Sequence, residues 1–262
     1  MTEQKAAAFF DLDRTIIGGS SVFVFGWVAY RQGMVPTSQL LKDAANAAAF
    51  KLQGASDAKT EAVKARILEA IEGVEVSTLM GLADEVLPML LDDVRREARG
   101  LIDLHAAADR DTYIVSASPV EIVSRFAEAM EMTGGIGTVA EIENNIYTGE
   151  LAEPFCYGEG KAIALQKIAA EKGYDLTRSY AYTDSAGDLP MLEVVGHPVA
   201  VNPDSALEAV AYHRGWPIVE FSRTRKRVIK RTTAATGAVA LAAAAYAIGR
   251  AQGKRANRRF WA

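Results

Sequence analysis

The stretch AAAFFDLDRTII, residues 6–17, decides the fold of this chain. Its first five residues are apolar, which is the pattern of a short buried strand. Two carboxylates, Asp11 and Asp13, follow at once and are one residue apart. Because like charges this close repel each other, an opposite charge normally lies nearby, and a divalent cation with oxygen ligands is the usual one. The stretch therefore predicts a strand that ends in a cation site.

Further apolar runs indicate that this strand belongs to a parallel sheet. They are bounded by polar or glycine-rich turns and lie at residues 112–117, 179–184 and 197–202. Near-continuous apolar strands separated by helical stretches are typical of a sheet that helices cover on both faces. Such sheets bind ligands at the carboxyl ends of their strands. We therefore expect Asp11, Ser116 and Asp184, which end three of the runs, at one edge of the sheet.

A long helical segment separates the first two strands. Residues 18–110 contain no convincing strand, and their helical stretches end at or near Gly33, Gly54 and Gly73. An insertion of roughly 90 residues exceeds an ordinary connection, so we expect it to form a separate cap. Farther along, AEIENNIYTGEL predicts a hairpin with its turn at Asn144 and Asn145.

The segment YIVSASPVE, residues 113–121, is a candidate phosphate site. A strand ends at Ser116 and a helix follows, with Ser118, Pro119 and Glu121 arranged as a capping box that places the proline at the first helical position. A helix N-terminus beside a hydroxyl can bind phosphate. An ordinary capped turn explains the same residues equally well.

Two other segments place charged residues where helices begin. GEGKA, residues 158–162, puts Lys161 in the first helical turn, where its charge opposes the dipole; it is either a solvated surface lysine or a group that neutralises phosphate. SYAYTDSAGDLPML, residues 179–192, ends a strand at Asp184 and places Asp188 just before a helix. A second acidic pair at a strand end is hard to explain by solvation alone, and a metal shared with the first pair explains both.

Charge is unevenly distributed along the 262 residues. The formal net charge is −4, but residues 223–262 hold 11 of the 29 Lys and Arg residues and no Asp or Glu. The first 222 residues therefore carry 18 basic and 33 acidic residues. An acidic body argues against nucleic acid as a partner, because a phosphate backbone requires a basic surface.

The basic tail contains 18 uncharged residues, 232–249, between Arg231 and Arg250. At about 1.5 Å per residue, a helix of this length barely spans a bilayer core of roughly 30 Å. Alanine contributes little to insertion. A membrane-spanning helix, a helix on an anionic membrane surface and a tail without membrane contact therefore all stay open.

Cysteine and histidine content excludes other kinds of site. The single cysteine, Cys156, cannot form an internal disulfide and is expected to be a small buried residue that fills space in the core. No secretory signal is visible, so we expect a cytoplasmic protein. The histidines are too few and too scattered for a zinc cluster and are expected to be structural or at the surface: His105, His197 and His213. No feature of the sequence predicts an oligomeric state.

With these motifs in place, the chain resembles the haloacid dehalogenase superfamily, and most closely its phosphoserine-phosphatase-like subclass. Four motifs occur in the expected order over about residues 6–220: Asp11, Asp13 and Thr15; Ser116; Lys161; and Asp184 with Asp188. The resemblance implies an α/β fold, a Rossmann-like three-layer parallel-sheet core with an inserted all-helical cap domain. The core would comprise residues 1–17 and 105–222, and the cap residues 18–104.

The resemblance also implies a mechanism of phosphomonoester hydrolysis. Asp11 would attack phosphorus and form an aspartyl-phosphate, and Asp13 would act as general acid and then as general base. Mg²⁺ would be held by the side chains of Asp11 and Asp184 and by the backbone carbonyl of Asp13. Asp13 also distinguishes the chain from the dehalogenase branch, which lacks this acid because a departing halide needs no proton.

The remaining motif residues would bind the substrate or support the site. Thr15, Ser116 and Lys161 would bind the phosphate oxygens, with backbone amides near the first two. Asp188 would position the water ligands of the metal or the lysine. The expected partner is therefore a small phosphorylated metabolite.

Three departures from the family pattern leave the substrate open. Ser20 stands where phosphoserine phosphatases carry an acidic residue, Gly187 where asparagine is usual, and Arg14 where a small residue is more frequent. Phosphoserine is the leading candidate. The alternatives are a membrane-associated phosphatase of lipid phosphates such as lysophosphatidate, and a membrane-tethered binding or regulatory protein with a vestigial site.

Residues of the cap could select the substrate, but the sequence does not single out one of them. A substrate carboxylate could be bound by any of three basic residues: Arg31, Lys51 or Arg66. Four aromatic residues either line a substrate pocket or, as we expect, pack between cap helices: Phe23, Phe25, Trp27 and Tyr30.

Overall fold

The computed structural model describes residues 5–33 and 57–221, apart from the side chains of residues 57–60, 62, 63 and 66. The chain divides into two units, Met1–Glu220 and Phe221–Ala262. The predictions for Gly54, Lys51, the side chain of Arg66 and the tail segment 232–249 lie outside this description. Among the helices that are described, none is long and apolar enough to cross a membrane.

A six-stranded, all-parallel sheet forms the centre of the first unit, in the strand order β3-β2-β1-β6-β7-β8. Its strands are β1 Ala7–Asp11, β2 Asp111–Pro119, β3 Gly134–Thr138, β6 Tyr180–Thr183, β7 His197–Val201 and β8 Ile218–Val219. A separate antiparallel hairpin consists of β4 Ala140–Glu143 and β5 Ile146–Leu151. The chain leaves β1 towards β2 on one side and later returns to β6 on the other. The carboxyl end of β1 is therefore the position at which a ligand-binding crevice is expected.

Helices cover both faces of the sheet and confirm the predicted α/β fold. They are α1 Ser21–Arg31, α2 Asp57–Ile71, α3 Val76–Asp92, α4 Arg96–Ala107, α5 Val120–Ala129, α6 Glu159–Lys172, α7 Leu189–Glu193 and α8 Ser205–Arg214. Successive strand residues point to opposite faces, and β1 shows this well. Phe9 belongs to the core formed with Leu165 of α6 and Leu207 of α8. Phe10 stacks on Tyr182 of β6, with ring centroids 4.6 Å apart, on the other face.

The long segment between β1 and β2 is helical throughout its described part, as predicted. Its last helix, α4, packs on the sheet, where His105 contacts Phe10 edge to face. The predicted boundary at residue 104 therefore lies inside a helix of the sheet layer. Helical periodicity shows that one face of a helix is buried, but it does not show whether that face packs on the sheet or on other helices. The division into core and cap stays a prediction.

Two turns show how the sequence determines local structure. The predicted hairpin turn is confirmed: Asn144 and Asn145 have φ values of 50° and 67°, which asparagine tolerates better than most residues. The predicted capping box is wrong, because β2 continues to Pro119, which is itself the N-cap of α5 and makes no side-chain cap bond. Ser118 is instead buried within the last part of the strand.

Hydrogen bonds join the two ends of the helical insertion to each other and its middle part to the hairpin. Where it begins and ends, the amides of Gly18 and Gly19 donate to the backbone carbonyl and the carboxylate of Asp93. A Cβ atom on either glycine would lie 3.0 Å from a carboxylate oxygen of Asp93, so a larger residue would require the carboxylate to shift. Farther away, the backbone of Tyr147 in β5 bonds to Gly73 and Val74 between α2 and α3.

Candidate active site

The site is built around the end of β1. Asp11 is the last residue of this fully buried strand and is itself almost fully buried. The chain then turns sharply over Leu12–Ile16, with Arg14 at φ 63°, and the amide of Ile17 donates to the carbonyl of Leu12. This tight turn keeps Asp13 next to the end of the strand.

Lys161 joins the first motif to the last. Its Nζ donates to Asp11 Oδ1 at 2.6 Å and to Asp188 Oδ2 at 2.9 Å, and only 3% of the residue is exposed. Thr183 Oγ1 donates to the same oxygen of Asp188 at 2.7 Å. Burial opposes the lysine charge, but the carboxylates of Asp11 and Asp188 outweigh it and raise the pKa of Lys161. The lysine is therefore a buried cation paired with Asp11 and Asp188 rather than a solvated surface residue, and its binding to phosphate stays a prediction.

Negative charge exceeds positive charge in this cluster. Five carboxylates and two cations interact within it: Asp11, Asp13, Asp184, Asp188, Asp204, Lys161 and Arg14. Burial raises the pKa of Asp11 to about 8 although Lys161 lowers it, and burial raises the pKa of Asp184 to about 7 although Arg14 lowers it. With these carboxylates ionised, the excess of negative charge would favour the binding of a divalent cation.

Asp13 is held by the first residue of α1. The amide of Ser21, at the start of α1, donates to Asp13 Oδ1 at 2.5 Å. Burial raises the pKa of Asp13, while the hydrogen bonds from Ser21 lower it. Ser21 Oγ lies 3.0 Å from Ser118 Oγ, and the amide of Ser118 donates to Ser116 Oγ at 3.2 Å. A continuous polar chain thus connects the predicted acid with the predicted phosphate-binding hydroxyl.

Two predicted phosphate ligands are buried close to the end of β1. Ser116 is 3% exposed and lies within β2, one residue after Val115, the partner of Asp11 in the sheet, and not at the strand end that the sequence predicted. Thr15 is 1% exposed, and its Oγ1 has no hydrogen-bond partner in the described part of the chain. A buried hydroxyl without a partner is rare, so a ligand oxygen near Thr15 would satisfy it.

Arg14 is a residue of the site that the sequence revealed only as a departure from the family pattern. Its guanidinium pairs with Asp184, with Nε 2.8 Å from Oδ2 and a nitrogen 3.5 Å from Oδ1. The signal in the sequence was the placement of a cation between Asp13 and Thr15. The partner, however, lies 170 positions away, and no local pattern could have identified it.

The structure also accounts for Gly187. A Cβ atom at this position would lie 2.7 Å from the hydroxyl of Tyr157, so a side chain as large as asparagine would collide with the ring. Tyr157 interacts electrostatically with Asp188 and Lys161 and thus borders the site, although the sequence did not single it out.

The other predicted candidates take less part in the cluster. Arg31 stacks over the ring of Trp27, 4.8 Å from its centroid. The expectation that the aromatic residues pack between cap helices fails for Phe23, Trp27 and Tyr30, which are exposed. Cys156 is 1% exposed, which confirms its assignment as a buried filler, and burial raises the pKa of its thiol to about 11.

His105 packs against the sheet rather than joining the charged cluster. It is buried, its Nε2 lies 2.7 Å from the hydroxyl of Tyr182, and its Nδ1 accepts from Arg110 Nε at 2.7 Å. Burial and the charge of Arg110 lower the pKa of His105 to about 4. The ring is therefore neutral and belongs to the packing between α4 and the sheet.

Comparison with known proteins places these features in a family. The family model described as haloacid dehalogenase-like hydrolase matches residues 8–193. A Mycobacterium tuberculosis protein named "Probable phosphatase Rv3661" is 41% identical over 251 residues, which cover 92% of this chain and 87% of that protein. "Phosphoserine phosphatase SerB1" of the same species is 36% identical over 246 residues, covering 92% of this chain and 80% of that protein.

A solved structure shares the fold at low sequence identity. It is described as a phospho-aspartyl intermediate analogue of phosphoserine phosphatase and has a TM-score of 0.58 at 15% identity. The alignment covers 87% of this chain and 99% of that one. At this identity the likeness concerns the fold alone.

Proposed function

The chain belongs to the haloacid dehalogenase-like hydrolases, and from that premise we propose that it hydrolyses phosphomonoesters through an aspartyl-phosphate on Asp11. One observation carries the proposal. Asp11 ends the strand at which the sheet order reverses, and there it meets a buried lysine and an uncompensated excess of negative charge. This is the arrangement that an anionic nucleophile, a cation and a phosphate dianion require together.

In the first step, a carboxylate oxygen of Asp11 attacks phosphorus, and the bond from phosphorus to the ester oxygen breaks. Asp13 gives its proton to that oxygen, so the leaving group departs as a neutral alcohol. The raised pKa of Asp13 favours its protonated form, which suits the role of acid. The products of this step are the free alcohol, an aspartyl-phosphate and an ionised Asp13.

In the second step, water attacks the phosphorus of the aspartyl-phosphate. Asp13, now a carboxylate, takes a proton from the water, and the bond between phosphorus and Asp11 breaks. Inorganic phosphate leaves and both carboxyl groups return to their first state. The bond from the Ser21 amide keeps Asp13 in one place through both steps.

Three residues would hold the phosphoryl group. Lys161 Nζ, already 2.6 Å from Asp11, would donate to a non-bridging oxygen and balance charge that develops there. Thr15 would use the buried hydroxyl that has no other partner in the described residues. Ser116 follows Val115, the residue of β2 that pairs with Asp11.

The residues present fit a divalent cation. No group of three His, Cys, Asp or Glu side chains converges as a metal site within the described residues. The proposed set needs only two side chains, Asp11 and Asp184, with the backbone carbonyl of Asp13, and all three supply the oxygen ligands that Mg²⁺ prefers. When bound, Mg²⁺ would supply screening between the nucleophile and the phosphate.

The substrate we propose is a small phosphorylated metabolite, with phosphoserine first. The support is the relative named phosphoserine phosphatase. Ser20, the N-cap of α1, carries no charge for a substrate ammonium group, so lysophosphatidate stays the alternative. A cytoplasmic location is part of the same proposal.

The test is release of inorganic phosphate from a panel of esters by the wild type and Asp11→Asn. The panel contains phosphoserine, phosphoethanolamine, glycerol phosphate and lysophosphatidate, each with Mg²⁺ or EDTA. We expect the substitution to lower the rate at least about a thousandfold, because the nucleophile is lost. The matched control is Asp103→Asn, at an exposed carboxylate of α4 that pairs with Arg99.

The outcomes separate the alternatives. Hydrolysis that depends on Mg²⁺ and Asp11 supports the proposal, and the preferred ester identifies the substrate class. A higher rate with lysophosphatidate than with phosphoserine favours the lipid-phosphate alternative. If no ester is hydrolysed above the Asp11→Asn background, the proposal is wrong and the binding or regulatory alternative gains support.

A further inference from the structure

Arg14 binds the carboxylate that the proposed cation would need. The guanidinium approaches Asp184 side on, at 2.8 Å from one carboxylate oxygen and 3.5 Å from the other. Asp184 is almost fully buried, whereas 46% of the Arg14 side chain is exposed. The ion pair therefore joins a buried carboxylate to a guanidinium whose side chain is partly exposed to solvent.

The backbone at Arg14 is held in an unusual conformation. Its φ of 63° lies in the left-handed region, which arginine rarely adopts. The amide of Arg14 donates to the carbonyl of Gly19 at 3.0 Å, so the turn fixes this backbone. The side chain can leave Asp184 by rotating towards solvent, but the backbone cannot move away with it.

A divalent cation and the guanidinium would repel each other at Asp184. A cation such as Mg²⁺ takes a carboxylate oxygen at about 2.1 Å, and the guanidinium lies 2.8 Å from one oxygen of Asp184 and 3.5 Å from the other. Because both groups are positive and would share one buried carboxylate, each weakens the binding of the other.

We propose that Arg14 competes with the divalent cation for Asp184, so that it weakens cation binding and is released when the cation binds. This inference rests on the proposed function, because it assumes the cation site at Asp11 and Asp184. It adds that the affinity for the cation is set by a residue that is not a ligand of it. In the metal-free protein, Arg14 supplies the charge that balances Asp184.

The competition has a reciprocal consequence. If the ion pair between Arg14 and Asp184 lowers the affinity for the cation by a given factor, binding of the cation must weaken the ion pair by the same factor. Removing the guanidinium should destabilise the metal-free protein, which loses a partner of a buried carboxylate, but not the metal-loaded protein. A residue that only bound phosphate would change neither metal affinity nor metal-free stability in this way.

The experiment measures Mg²⁺ binding by calorimetry and melting temperature with and without Mg²⁺, on the full chain and without substrate. The variants are Arg14→Gln, which removes the charge, and Arg14→Lys, which keeps it without the side-on fork. The matched control is Arg214→Gln, since the Arg214 side chain is 44% exposed and also pairs with a carboxylate, that of Glu193.

We expect Arg14→Gln to bind Mg²⁺ about tenfold more tightly than the wild type, with Arg14→Lys in between and Arg214→Gln unchanged. The melting temperature of Arg14→Gln should lie below that of the wild type in EDTA, and the gap should close in saturating Mg²⁺. Equal or weaker Mg²⁺ binding by Arg14→Gln would overturn the inference while leaving the cation site intact. If neither the wild type nor any variant binds Mg²⁺, the cation site of the proposed function is itself wrong and the inference falls with it.

Discussion

Lys161 shows how single residues make the site. It lies in the first turn of α6, where its charge opposes the helix dipole. The unfavourable position is compensated by Asp11 and Asp188, each within 2.9 Å of Nζ. A buried ion pair becomes strongly unfavourable when one partner is removed, because the remaining charge stays buried without compensation.

At the residue scale we therefore predict that Lys161→Met loses both activity and stability. Phosphate release should fall at least about a hundredfold, since a charge that stabilises the phosphoryl group is missing. The free energy of unfolding should fall by about 3–5 kcal/mol. The measurements are phosphate release and urea denaturation, with Lys167→Met on the exposed side of the same helix as control.

The pH dependence gives a second check on the same variant. The pKa of Asp11, about 8 beside Lys161, rises further without the lysine, which lowers it. A carboxyl group whose pKa is raised on folding stabilises the protein at low pH and loses this contribution as pH rises through the folded pKa. The stability difference between wild type and Lys161→Met should therefore be larger at pH 9 than at pH 5. A difference independent of pH would contradict the assigned charge balance.

Elements were predicted well where local pattern decides them and poorly where distant contacts do. Apolar runs revealed β1, β2, β6 and β7, and Asn144 and Asn145 revealed the hairpin, because both signals are local. The sequence did not predict β3, which contains three glycines, or β8, which has only two residues. The capping box failed because β3 pairs with β2 as far as Pro119 and keeps Ser118 in the strand. The residues of a capping box do not show whether the segment pairs with another strand.

The layer that α4 forms on the sheet leads to a prediction about pH and stability. The folded pKa of His105 is about 4, below its ordinary value of 6.5. Because the folded state disfavours the proton, this group stabilises the fold above pH 6.5 and the contribution is lost as pH falls towards 4. Between pH 7 and pH 5, the wild type should lose about 2 kcal/mol more stability than His105→Gln.

Denaturation by urea at the two pH values measures this difference. Carboxylates that titrate in the same range are common to both proteins, so their contribution cancels in the comparison. The control is His213→Gln, at an exposed residue in the last turn of α8. Parallel pH profiles for wild type and His105→Gln would show that His105 is not the titrating group.

At the scale of the whole molecule, the sequence predicted the sheet and the convergence of four distant motifs, because parallel strands bring their carboxyl ends together. The contacts among the motif residues required the structure. The ion pair between Arg14 and Asp184 depends on the tight turn after β1 and on the neighbouring position of β6. Neither feature leaves a periodic signal in the sequence.

The uneven charge of the whole chain can be tested with vesicles. Residues 223–262 carry 11 basic and no acidic residues, and membrane association through this tail stays a prediction from the sequence. We expect the full chain to sediment with vesicles containing about 30% anionic lipid at low salt, and a chain ending at residue 222 to stay in the supernatant. Equal sedimentation of the two chains would exclude anchoring by the tail.

The contacts of the helical insertion restrict its movement. Its beginning bonds to Asp93 near its end, the segment between α2 and α3 pairs with β5, and Asp84 of α3 pairs with Arg125 of α5. Ser21, the donor to Asp13, is the first residue of α1 and therefore belongs to the insertion. A rotation of the insertion would shift the amide that orients Asp13, and it would have to break the contacts with β5 or α5.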